Sequence, residues 1–258
     1  MGKVAVERVG TTTIVSIDRH AEARNAVDPE TAVALREAFF AFDRDASQSV
    51  AILTGCGGTF CAGYDLKIAA SRAGAGLQDP EGPGPMGPTR HLLSKPVIAA
   101  VEGHAVAGGL ELALWCDLRV ASDTAVFGVF CRRWGVPLID GGTVRLPRLI
   151  GQSRALDMIL TGREVGADEA FAWGLANRRA PAGEALPQAL ALAETLARFP
   201  QTCLRSDRRS AHEQWGLAFA PALVNEARIG ADALRLEAQA GAARFAAGKG
   251  RGGSFGDI

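Results

Sequence analysis

Metal-binding chemistry is thin in this chain. Its four histidines include no H-E-x-x-H arrangement, and its five cysteines (Cys56, Cys61, Cys116, Cys131 and Cys203) include no C-x-x-C pair. Neither a zinc site nor an even-numbered disulfide framework has a sequence basis. Excess charge is missing too: Lys plus Arg and Asp plus Glu each total 28. A broad nucleic-acid surface needs clustered positive charge, so no nucleic-acid partner is expected. No apolar run reaches the ~18–20 residues that span a bilayer. Met1 to Glu7 lacks the basic-then-apolar order of a secretory signal. Together these absences predict a reduced, cytoplasmic protein with no resident metal and no membrane partner.

The common nucleotide motifs are absent as well. Gly55-Cys56-Gly57-Gly58-Thr59-Phe60 fails G-x-G-x-x-G because Phe60 holds the last glycine position. Gly248-Lys249 is followed by Gly250 and lacks the earlier glycine of a phosphate-binding loop. A nucleophile elbow on a strand-to-helix turn is unsupported. Dinucleotide binding, phosphoryl transfer and serine hydrolysis all lose their usual footing.

What is present is an ordinary globular balance, 48% hydrophobic and 22% charged over 258 residues. Val4 to Val9 and Thr12 to Ile17 read as two strands joined at Gly10. Asp28-Pro29 is a helix start, with Asp as N-cap and Pro in the first turn. Leu35, Ala38, Phe39 and Phe42 then give that helix one apolar face. Three short apolar strands are expected at Val50 to Leu53, Pro96 to Val101 and Asp117 to Ala121. Strands of this kind alternating with helices imply a sheet covered on both faces.

After Gly141 the pattern is helical: Ser153 to Leu160, Ala167 to Trp173, Glu184 to Arg198 and Asn225 to Phe245. Ala73 to Pro88, rich in Gly and Pro, reads as a long loop that shapes any pocket it borders. The Gly-rich tail after Gly248 reads as frayed.

Two strand-to-loop junctions carry the chemical signal. One is Phe60-Cys61-Ala62-Gly63-Tyr64-Asp65-Leu66. The other runs from Gly103 through His104-Ala105-Val106-Ala107-Gly108-Gly109-Leu110-Glu111 to Cys116-Asp117. Their small residues let a ligand approach the backbone. Gly108 falls at a helix N-terminus, where unpaired N–H groups favour negative charge. Such a site suits a developing oxyanion, although either junction alone is better explained as a tight turn.

In that order and spacing the junctions resemble the paired oxyanion-hole segments of the crotonase (enoyl-CoA hydratase/isomerase) superfamily. The similarity extends through Arg24-Asn25-Ala26, Lys95 to Val101, Gly141-Gly142-Thr143 to Gly151, Leu160-Thr161-Gly162 and Ala170 to Leu175. It implies a crotonase-like α/β fold of stacked ββα units, with an acyl-CoA core over residues 1–200 and a helical trimerisation region over 201–258. It also implies a homotrimer or homohexamer that takes an acyl-CoA substrate without a separate cofactor, coenzyme A arriving as part of the substrate.

Carried over residue by residue, the resemblance assigns the oxyanion hole to the amides of Ala62 and Gly108. Glu111 falls where hydratases carry one of their two catalytic glutamates; its alternative is a Glu that merely complements the helix dipole. The second glutamate is absent, and Cys131 stands at its position in Phe127 to Gly135. A thiol is a poor replacement, with a reference pKa of ~8.5 against ~4.3. Asp140 is the nearest substitute, its alternative being an ordinary helix N-cap. The resemblance further implies substrate contacts from Arg24, Ala26, Gly63, Tyr64, Asp65, Leu66, Gly109 and Trp134. Enoyl-CoA hydratase/isomerase-type chemistry is therefore expected. Its rivals are another enolate reaction using Asp140 (dehydration, isomerisation or thioester hydrolysis) and a weakly active acyl-CoA binder.

Overall fold

The computed structural model describes residues 2–71 and 79–254. Its strands are β1 (Val4–Val9), β2 (Thr12–Ile17), β3 (Val50–Gly55), β4 (Val97–Val101), β5 (His104–Val106), β6 (Leu118–Ser122), β7 (Val126–Gly128), β8 (Glu164–Gly166) and β9 (Arg178–Ala180). A six-stranded sheet runs in the order β1-β2-β3-β4-β6-β9. Its β1–β2 pair is the antiparallel hairpin around Gly10, and every other pairing is parallel. A smaller sheet runs β5-β7-β8. β4 leads into β5 and β6 into β7, so successive units feed one strand to each sheet.

The helices are α1 (His20–Ala23), α2 (Pro29–Arg44), α3 (Leu66–Ala69), α4 (Gly108–Trp115), α5 (Gly142–Ile150), α6 (Gln152–Thr161), α7 (Ala167–Ala172), α8 (Ala185–Arg198), α9 (Gln201–Glu213), α10 (Phe219–Ala233) and α11 (Gln239–Ala246). α2 begins as its sequence dictates: the Asp28 side chain accepts from the Thr31 N–H, and Pro29 needs no donor.

Alternation along the central strands decides what packs where. Ala51, Leu53, Ala99 and Val101 face a core shared with Leu35 and Phe39 of α2 and Leu110 and Leu112 of α4. Val50, Ile52, Ile98 and Ala100 face Ala185, Ala189 and Ala193 of α8. With both faces covered, the strands read as unbroken apolar runs. Phe39 is fully buried, and truncating such a side chain to alanine removes about 3–5 kcal/mol.

Several expectations need correction. The helix expected over Asn225 to Phe245 starts earlier, at Phe219, and passes through a wider turn at Leu234–Ala238 before α11. Helix α9 and the three-residue strands β5, β7, β8 and β9 were not anticipated. Of the loop expected from Ala73 to Pro88, the part up to residue 78 lies outside the described residues. From 79 onward it is held by Arg90, whose Nη1 donates to the carbonyls of Asp79, Pro80 and Gly82 at 2.8, 3.2 and 2.9 Å.

Candidate active site

The two junctions meet. Cys61 and Ala105 bridge in parallel: Cys61 N–H donates to His104 C=O at 2.8 Å, and Val106 N–H to Cys61 C=O at 3.1 Å. The turn after Cys61 passes through Gly63 at φ +101°. A β-carbon there would sit 2.9 Å from the Ala107 β-carbon and 3.0 Å from the Gly108 nitrogen, which only glycine avoids. Ala107 itself holds φ 54° and ψ −123°, a conformation that costs a non-glycine residue about 1–3 kcal/mol. Its N–H, bonded to Gly128 C=O at 2.8 Å, helps to keep it there.

Which amides are free follows from this pairing, and it corrects one assignment. The Ala62 N–H is spent on Arg24 C=O at 3.2 Å. Its neighbours are tied to the same segment, since Val27 N–H donates to Gly63 C=O at 2.8 Å and Asp65 N–H to Val27 C=O at 2.9 Å. Between those bonds the Tyr64 N–H meets no acceptor among the described residues, nor does that of Gly108 in the first turn of α4. Tyr64 and Gly108 both line one cavity of about 440 Å³. The free donor of the first junction is therefore Tyr64, not Ala62.

Glu111, one turn into α4, faces the same cavity and is only 3% exposed. Its Oε1 accepts the N–H groups of Asp140 and Gly142, both at 2.8 Å, while Oε2 has no partner among the described residues. Burial and then the charge of Asp140 outweigh those two amides, so the carboxyl is pushed up to about 7.

Asp140 is not the N-cap of α5. Gly141, at φ 95°, occupies that position, and no side chain caps the helix. The Asp140 carboxylate, 2% exposed, turns instead toward the segment before Arg90. There Oδ1 accepts from Met86 N–H at 3.1 Å and from the Thr89 hydroxyl. Burial raises its pKa, against the pull of those bonds and of Arg90 and Arg145. Arg145 ties the loop together, donating to Asp140 C=O at 2.9 Å and Thr89 C=O at 2.6 Å. Arg90 Nη2 adds a bond to Ile139 C=O at 3.1 Å. These four residues (Met86, Thr89, Arg90 and Arg145) were not singled out in the sequence.

Cys131 lies in the 3₁₀ turn Phe130–Trp134 and lines the cavity, near enough to Glu111 for that charge to reinforce the effect of burial in raising the thiol pKa. Trp134, 69% exposed, stands in the same wall. Ala62 and Leu66 also line it. The other expected contacts do not. Arg24 is exposed and offers its carbonyl to Ala62. Ala26 is buried, its carbonyl taken by Arg19. Asp65 is buried in an ion pair with Arg19, and Gly109 lets α4 pack on the Cys61 carbonyl. Among the described residues no group of three or more His, Cys, Asp or Glu side chains is arranged to hold a metal. No helix among the described residues is long and apolar enough to cross a membrane.

Comparison with known proteins gives the same direction. The profile of the enoyl-CoA hydratase/isomerase family matches residues 10–246. The enoyl-CoA hydratase EchA19 of Mycobacterium tuberculosis is 40% identical over 216 residues, 81% of this chain and 79% of that protein. The carnitinyl-CoA dehydratase of Proteus mirabilis is 41% identical over 176 residues, 67% of each chain. The crystal structure of enoyl-CoA hydratase EchA1 from Mycobacterium marinum superposes with a TM-score of 0.88 at 37% identity, covering 96% of both chains.

Proposed function

Because the chain belongs to the enoyl-CoA hydratase/isomerase family and has the crotonase fold, we propose that it hydrates a trans-2-enoyl-CoA in the cavity between Tyr64, Gly108, Glu111 and Asp140. Acyl-CoA enolate chemistry is the common ground of this family. The finer assignment rests on one observation above all: two carboxyl groups with raised pKa values and two unpaired backbone N–H groups share one cavity.

The thioester carbonyl accepts from Tyr64 and Gly108, whose donors stabilise the negative charge that builds on oxygen as the enolate forms. Each such donor is worth about 3–4 kcal/mol in related geometries. Glu111 holds the attacking water on Oε2 and takes its proton, a task suited to a carboxylate poised near neutral pH. The oxygen of that water bonds to the β-carbon. Asp140, its pKa raised by burial, gives a proton to the α-carbon, so that H and OH add across the double bond; solvent then returns the proton from Glu111 to Asp140. Cys131 acts as cavity wall. The exposed Arg24 guanidinium is assigned to the CoA phosphates, and coenzyme A enters as part of the substrate with no further cofactor.

The reverse reaction, dehydration, uses the same pair and is favoured as a second reading by the 41% identity to a carnitinyl-CoA dehydratase. Exposed Phe219, Leu223, Leu234, Leu236 and Phe245 on the C-terminal helical segment support assembly as a homotrimer or homohexamer. The five unpaired cysteines suit a reducing compartment such as the cytoplasm.

The test is turnover of crotonyl-CoA and longer enoyl-CoAs with chromatographic identification of products. Formation of 3-hydroxyacyl-CoA, lost in Glu111→Gln, supports the reading. Binding of the esters without consumption of any enoyl-CoA contradicts it.

A further inference from the structure

The Tyr64 N–H owes its position to groups that never touch the cavity. Residues 62–65 hang on residues 24–27 through the three backbone bonds already described, at 3.2, 2.8 and 2.9 Å. That supporting segment is itself unusual, because Arg24 and Asn25 are consecutive non-glycine residues at φ 50° and 59°. Something must hold it. Asn25 does so on one side, its amide donating to the carbonyls of Cys56 and Thr59 at 2.8 and 2.6 Å and its oxygen accepting the Arg19 N–H at 2.9 Å.

The other side is held by the Arg19 side chain, 8% exposed and absent from the cavity wall. Its Nη1 donates to Ala26 C=O. Its Nη2 lies 3.2 Å from Asp65 Oδ2 and 3.3 Å from Asp28 Oδ2. One guanidinium thus spans the supporting segment (Ala26), the donor segment (Asp65, the residue after Tyr64) and the N-cap of α2 (Asp28). A planar fork with several donors makes the two hydrogen bonds and the ion pair to Asp28 at fixed angles, and an ammonium does not.

We infer that Arg19, acting through Asp65, is a positioning residue for the oxyanion hole: it fixes the direction of the Tyr64 N–H. The inference rests on the reading of Tyr64 as one of the two oxyanion donors. Misplacing a catalytic group by about 1 Å typically costs on the order of 100-fold in rate. Loss of Arg19 or of the Asp65 charge therefore lowers kcat about 10–100-fold.

The experiment uses cinnamoyl-CoA as probe, since a conjugated thioester absorbs at longer wavelength when its carbonyl oxygen is strongly hydrogen-bonded. Binding, band position, kcat and KM are measured for the full-length parent and for Arg19→Met, Arg19→Lys and Asp65→Asn. The last keeps Asp65 Oδ1 for its cap bond to Lys67 N–H at 3.1 Å and removes only the charge, so it carries the test if Arg19→Met does not fold. Expected is a red-shifted band in the parent, a smaller shift and lower kcat in Arg19→Met and Asp65→Asn, and partial rescue by Arg19→Lys. The double variant Arg19→Met/Asp65→Asn should lose no more than either single one. A parent-like band and kcat in folded Asp65→Asn overturns the inference alone. A bound probe with no shift in the parent overturns the oxyanion reading and the inference with it.

Discussion

Replacing Glu111 by Gln should stabilise the protein as it stops the reaction, and only where the glutamate would be ionised. The carboxyl has an ordinary value of 4.5 and stands at about 7 in the fold, because burial penalises its charged form. The folded state therefore retains a proton that the unfolded chain releases between those values. Stability from this group is complete below about 4.5 and is lost as pH rises through about 7. Two and a half units correspond to about 3 kcal/mol. A glutamine has no proton to lose, and its amide oxygen can keep the bonds from Asp140 and Gly142, both at 2.8 Å. The advantage of the variant should be near zero at pH 4.5 and about 3 kcal/mol at pH 9. For a chain of this size that is a Tm difference of roughly 6–12 °C. Scanning calorimetry of both proteins across this range reads it directly, alongside a fall in turnover of about 10²–10⁴-fold. A Tm difference that does not change with pH would refute the account of Glu111 as a carboxyl strained by burial.

Three further outcomes follow from the same geometry. Asp140→Asn keeps an oxygen for Met86 N–H and Thr89, so it should fold and bind butyryl-CoA normally while kcat drops about 10²–10⁴-fold; parent-like kcat would remove Asp140 from the chemistry. Cys131→Ser should retain activity within about tenfold, since loss of a true acid–base group is larger than that; collapse of kcat would make the thiol the second catalytic group. Gly63→Ala puts a methyl 2.9 Å from the Ala107 β-carbon and 3.0 Å from the Gly108 nitrogen. It should destabilise by about 1–3 kcal/mol and weaken acyl-CoA binding by calorimetry, and unchanged affinity would count against the hole.

Much of the central sheet was legible because strands buried on both faces carry a continuous apolar signal, as Val50 to Leu53 and Val97 to Val101 do. His104-Ala105-Val106 is too short to show a period, and β7 to β9 share that limit. Helix α9 went unread for a different reason: only Ser206 of its residues is buried, so it has no apolar stripe to detect. At the site, Gly108 was placed at a helix start, which is local information, whereas Glu111 was assigned through the family resemblance. The donor of the first junction depends on pairing with Arg24 and Val27, which lie far away in sequence. No local pattern in Ala62-Gly63-Tyr64 says which amide that pairing consumes, so Ala62 was chosen where Tyr64 is free. Asp140 was left open between a catalytic role and a helix cap. An aspartate before Gly-Gly-Thr looks like a cap, but the positive φ of Gly141 gives the cap to glycine and turns the carboxylate toward Met86 and Thr89. Met86 fell inside the Gly/Pro-rich stretch read as pocket-shaping, yet composition gave no means of choosing it.

The central claim is that Glu111 and Asp140 move protons on an acyl thioester whose enolate is held by Tyr64 and Gly108. It is tested most directly by incubating butyryl-CoA, which has no double bond to hydrate, with the protein in D₂O and reading deuterium at the α-carbon by mass spectrometry. Incorporation above the solvent background is predicted with the parent, and its loss in Asp140→Asn, the residue assigned to the α-carbon. Tight binding of butyryl-CoA with no α-deuterium in the parent would contradict it.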